Sequence, residues 1–88
     1  MKIIKGFVIR EVGGKQIAVA TGEASRVFNG MITLNDSARV IWDALSAGTD
    51  MDGIIRALTE TYDVSESQAK TDAEAFVEKL RAVGIIEE

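Results

Sequence analysis

The chain has 88 residues and a formal net charge of −4, which bounds it to one domain (residues 1–88) with a modest core. With no His and no Cys it has no Cys/His zinc site, no thiol nucleophile and no Ser-His-Asp arrangement. Apolar residues are 47% and charged residues 27%, a globular rather than disordered balance.

The chain opens with MKIIKGFVIREV, whose apolar patch is interrupted by Arg10 and Glu11 and has no small-residue cleavage site. No apolar run approaches the roughly 18 residues that span a bilayer. A cytosolic location without membrane contact is expected. Residues 3–12 read as a strand in which Phe7 and Ile9 alternate with Val8 and Arg10. Gly13-Gly14 is a hairpin turn, and residues 16–20 (QIAVA) return as a second strand. Residues 21–28 read as a polar loop and part of a hairpin arm. Asn29-Gly30 is a second turn, and residues 31–34 (MITL) form a short third strand.

The remainder reads as helical. Asn35 stands at an N-cap position, and Asp36 suits the positive end of the helix that follows. Leu34, Ala38, Ile41, Trp42 and Leu45 fall on one helical stripe, so this helix folds back on the sheet and buries the chain's one tryptophan. Burial of about 200 Å² at Trp42 contributes roughly 5 kcal/mol by area, which makes it a core anchor. Ala47-Gly48 ends that helix, and Thr49 with Asp52 resembles a capping box for the next. The second stripe is Met51, Ile54, Ile55, Leu58 and Tyr62. Ser65 with Gln68 reads as a capping box that opens a last helix, which places Ala69, Ala73, Phe76, Val77 and Leu80 on one face; Gly84 closes it before an apolar tail at Ile85-Ile86. The predicted class is therefore α+β, a three-stranded antiparallel sheet followed by three helices in winged-helix-like order.

That order makes a nucleic-acid-binding or transcription-regulatory domain the alternative function. Charge opposes it: the would-be recognition helix, residues 66–83, carries Glu66, Asp72, Glu74 and Glu78 against Lys70, Lys79 and Arg81. Scattered helical carboxylates form an ordinary solvated face, so neither catalysis nor a bound metal or cofactor is expected. The MITL strand is an edge of the meander, and it lacks the Lys, Pro or charge that commonly guards such edges. An unguarded edge beside a helix accepts an extended peptide as an added strand. It is equally open to coverage by the chain's own tail, by Ser25–Phe28, or by a second copy in a homodimer.

Two longer stretches, FNGMITLNDSARVIWDAL and YDVSESQAKTDAEAFVEKLRAVGII, resemble the PqqD family, associated with coenzyme PQQ synthesis. The shared pattern is Leu-Asn before an acidic residue, an Ile-Trp helix, Tyr-x-Val-Ser, and a closing Leu-x-x-x-Gly. Leu34, Asn35, Trp42, Leu45, Tyr62, Val64, Leu80 and Gly84 sit on it, while Asp36-Ser37 replaces the family's usual Glu-Thr and keeps the capping chemistry. The resemblance implies a non-catalytic peptide chaperone, a recognition element for ribosomally made peptides. Such a protein binds the leader of a precursor peptide between the third strand and the last helix. It then presents it to a modifying enzyme, typically a radical S-adenosylmethionine enzyme. The residues expected on that groove are Met31, Ile32, Thr33 and Leu34 on the strand, with Asp72, Ala73, Phe76, Lys79 and Leu80 on the helix. Phe76 and Leu80 are expected in the core ahead of a peptide contact, and Asp72 and Lys79 on a solvated face ahead of a pairing with leader charges.

Overall fold

Gly6 decides how the amino-terminal segment folds. In the computed structural model, which describes all 88 residues, the expected single strand over residues 3–12 divides into β1 (Lys2–Ile3) and β2 (Phe7–Val12). Gly6 has φ +109°, and a Cβ there would lie 2.8 Å from the Thr21 carbonyl oxygen and 2.9 Å from the Ala24 Cβ. Only glycine fits this bend, so the chain leaves one sheet and enters another.

β2 pairs antiparallel with β3 (Lys15–Ala20) through Gly13-Gly14, whose φ values of +58° and +80° make a type I′ turn. Residues 24–27, expected as loop and hairpin arm, instead form one helical turn, α1 (Ala24–Val27). Arg26, in its last turn, suits the negative helix end. β4 (Met31–Leu34) completes a sheet of order β2-β3-β4, pairing Val19 with Met31 and Gln16 with Leu34.

Three long helices follow. α2 (Asp36–Ala47) begins as expected at Asn35, whose side chain accepts the Ala38 N–H at 2.8 Å. α3 (Met51–Thr61) is capped by Asp50, which accepts the Gly53 N–H at 2.8 Å; Thr49 and Asp52 do not form the expected box. Asp50 wins because its extended backbone puts the carboxylate over the first turn. α4 (Glu66–Ala82) starts at Ser65, which accepts the Gln68 N–H at 3.1 Å, while the Gln68 side chain turns to Asp72 instead of closing the box. The tail forms β5 (Ile86–Glu87), paired with β1 in a second, two-stranded sheet. Arg81 ties this tail to α4 by donating to Glu88 and Glu78, each at 2.8 Å, and those carboxylates raise its pKa above the ordinary value.

The α+β class, with a three-stranded antiparallel sheet ahead of three long helices, is as expected. The winged-helix likeness is loose, because α1 and the β1–β5 sheet are additional. No helix is long and apolar enough to cross a membrane. The core gathers Leu34 and Ala18 from the sheet, Ile41, Trp42 and Leu45 from α2, Ile54 and Leu58 from α3, and Ala69, Ala73, Val77 and Leu80 from α4. Phe7 packs edge-on to Trp42 with ring centroids 5.2 Å apart, so the anchor of α2 holds the first strand of the sheet as well.

Candidate functional site

Sheet register fixes which backbone groups of β4 remain free. A type I′ turn closes on a hydrogen-bonded pair, here Val12 and Lys15. Bonded and non-bonded pairs alternate along an antiparallel ladder. Arg10–Ile17 and Val8–Val19 are then bonded pairs, and Ile17 and Val19 spend their N–H and C=O groups on β2. The residues opposite them on the other side, Thr33 and Met31, therefore turn their own N–H and C=O groups to the open side of β4.

Nothing in the chain pairs with that edge. The tail pairs with β1, residues 24–27 are helical, and β4 pairs with β3 alone. Two of the coverings considered from sequence are thus absent, for a local reason in each case. Ile86 is drawn to Ile3, and the 24–27 segment satisfies its backbone in one helical turn, where the Phe28 N–H donates to the Ala24 carbonyl at 2.9 Å.

Beside the open edge lies a cleft of about 320 Å³ between β4 and α4. Met31, Ile32 and Thr33 form one wall; Phe76, Lys79, Leu80 and Val83 form the other, and Phe28 stands at one end. Six of the nine residues expected on the groove meet here: Met31, Ile32, Thr33, Phe76, Lys79 and Leu80. Leu80 belongs to the core while lining the cleft floor, and Phe76 is half-buried against the same core. Leu34 and Ala73 do not line the cleft: they are 4% and 0% exposed and face the core, because strand alternation turns Leu34 inward and Ala73 lies on the buried stripe of α4. Asp72 lies farther along.

The cleft continues. A second hollow of about 380 Å³ shares Phe76 and Lys79 with the first and adds Asp72, Ala75, Ile41 and the start of α2. A third, of about 580 Å³, shares Asn35, Ser37 and Asp72 with the second and ends at Tyr62, Asp63 and Val64, where α3 gives way to α4. Together they make one groove along α4. Phe28, Val83, Asn35 and the Tyr62–Val64 corner were not expected in it. Their positions depend on how α2 and α4 pack, which strand and helix periodicity do not encode. The available signal is that Asn35, Tyr62 and Val64 lie on the family pattern although none belongs to a helix interior.

The groove is chemically simple. No group of three or more His, Cys, Asp or Glu residues is placed to hold a metal ion. Lys79, Asp72, Asp63 and Asp36 line it without an ion-pair partner within the chain, whose ion pairs are Arg39–Asp43, Arg81–Glu78 and Arg81–Glu88. The arrangement offers unused strand hydrogen bonds, apolar side-chain pockets and a few free charges.

Comparison with known proteins bears on the fold and the family. No curated protein matches the sequence. In fold the chain is similar to a solved structure of TbiB1 in complex with the TbiA(beta) leader peptide. The TM-score is 0.74 over 99% of this chain and 95% of that one, at 20% identity. The family model for coenzyme PQQ synthesis protein D (PqqD) matches residues 13–86, from the hairpin turn to β5, and the chain belongs to the PqqD family.

Proposed function

We propose that this protein is a non-catalytic adaptor that binds the leader of a ribosomally synthesised precursor peptide. The leader adds as a strand to β4, with its backbone on the free groups of Met31 and Thr33 and alternate side chains in the cleft against Phe76, Leu80 and Val83. Lys79 and Asp72 flank the path and meet charges of the leader. The protein then presents the peptide to a modifying enzyme in the cytosol, a radical S-adenosylmethionine enzyme being the partner class implied by the family. The observation that carries this reading is the unpaired, uncharged β4 edge with an apolar cleft along it. Membership of the PqqD family and the fold shared with a leader-peptide complex support it.

Amide hydrogen exchange, read residue by residue with and without a synthetic peptide matching the leader of a candidate precursor, tests the mode of binding. Strand addition protects the Met31 and Thr33 amides, which are otherwise open to solvent. Saturable binding that leaves both unprotected excludes strand addition. A homodimer through the same edge would protect them without peptide and double the mass seen by light scattering.

A further inference from the structure

The groove outruns the strand. β4 ends at Leu34, and beyond it the wall is the first turn of α2, which offers no strand edge. A peptide that continues past Leu34 finds no strand ladder there, so its side chains carry more of the recognition. The hollow at that point is the largest of the three in the groove, and its character differs from the cleft beside β4. Its floor is Leu58, Tyr62, Val64 and Ala69; around it stand Asp36, Asp63 and Asp72, and no Lys or Arg lines it. Asp36 serves the amino end of α2. Asp63 and Asp72 have no cationic partner in the chain, and Asp72 only accepts one hydrogen bond, from Gln68 at 2.9 Å.

Resting on the peptide-binding reading above, we infer that this hollow is a specificity subsite for a Lys or Arg side chain of the bound peptide. An aliphatic stem suits the Leu58, Tyr62 and Val64 floor, and a cationic head suits the free carboxylates. An apolar residue would bury no counter-charge there, and an acidic one would face like charge.

The groove also sets a spacing. Lys79, on the strand-side cleft, and Asp72 are seven residues apart, about 10 Å along α4. An extended chain advances about 3.3 Å per residue. The cationic residue therefore lies about three residues beyond the peptide position opposite Lys79. In an antiparallel pairing with β4 it lies to the amino-terminal side of the paired segment.

The test selects a phage-displayed library of random dodecapeptides on the wild-type protein, on Thr33→Pro and on Asp63→Asn/Asp72→Asn, each first shown to melt cooperatively. Asn keeps the hydrogen-bond acceptor for Gln68 and removes only charge. Wild type is expected to enrich alternating apolar residues with a Lys or Arg about three positions to one side. The Asn variant is expected to enrich the same apolar pattern without the basic residue. A synthetic peptide of the best clone, with its basic residue changed to Met, should bind wild type about fivefold more weakly and the Asn variant unchanged, a size typical of one partly exposed charge pair. Clones lost on Thr33→Pro but enriched without a basic residue, or a basic preference that persists in the Asn variant, overturn the subsite alone. Clones indifferent to Thr33→Pro overturn strand addition, and the subsite with it.

Discussion

The sheet has two free edges, and they are built differently. On β2, register turns the free backbone groups of Phe7, Ile9 and Glu11 outward, and the strand carries Arg10 and Glu11 within its length. A hollow at the start of β2 touches only Phe7, its first residue. On β4, the free groups belong to Met31 and Thr33, no residue is charged, and the cleft runs alongside. Met31 is 67% exposed, a large apolar side chain left in water at the mouth of the cleft. Charges on an edge strand discourage pairing with another chain, and their absence permits it. The same fold thus closes one edge by composition and leaves the other open beside a helix.

Matched prolines test that contrast most directly. Thr33→Pro removes an outward N–H that makes no ladder bond, so the sheet is retained while the donor offered to a peptide is lost. Leader affinity is expected to fall tenfold or more, since one backbone bond and its neighbours are disrupted together. Glu11→Pro removes the equivalent outward donor of β2, and affinity should change by less than about twofold. Calorimetric titration of all three proteins measures both. Equal losses at the two edges would mean that general weakening of the sheet, and not the β4 edge, controls binding.

The contrast was partly legible in the sequence. The uncharged MITL run, the Gly13-Gly14 turn and the Asn35 cap are local signals, and each produced the element it predicts; the expected turn at Asn29-Gly30 is only a bend without a positive φ, because the chain joins β3 to β4 through α1. The division of residues 3–12 was not legible, because Gly6 is required by the approach of Thr21 and Ala24, a contact between distant segments. The pairing of Ile86 with Ile3 is likewise non-local, and an apolar tail by itself names no partner. Within the groove, the helical stripe of α4 singled out Phe76 and Leu80 but could not separate Ala73, which faces the core. The acidic end of the groove was invisible for the same reason. Asp36, Asp63 and Asp72 come from three segments: Asp36 reads as a helix-start charge, Asp72 as a groove or solvated charge, and Asp63 carries no signal of its own.

A smaller effect is expected where the open edge stops. Asn35 accepts the Ala38 N–H at 2.8 Å and the Ser37 hydroxyl at 3.1 Å, which sets the residue at which β4 becomes α2. Asn35→Ala should cost about 1 kcal/mol of stability. For a domain of this size that lowers the melting midpoint by about 4–8 °C. An unchanged midpoint would mean that the α2 start is held by packing of Ala38 and Ile41 rather than by the cap.

The smallest expected effect is electrostatic, and it separates what the backbone contributes from what the side chains add. If a leader adds as a strand, its bonds to Met31 and Thr33 join neutral partners and are indifferent to salt. Lys79 is exposed and unpaired on the wall of the cleft, so any attraction it exerts on a leader carboxylate is screened as ionic strength approaches physiological values, where the Debye length is about 8 Å. Lys79→Glu should therefore weaken binding by about 1 kcal/mol or less in low salt, and by less still in 0.15 M salt. Titrations across a salt series should show a shallow slope, far from the steep one of a protein that neutralises many phosphates. If Lys79→Glu proved more damaging than Thr33→Pro, the helix face would be recognising the peptide by charge. The difference between the two sheet edges would then be incidental to binding.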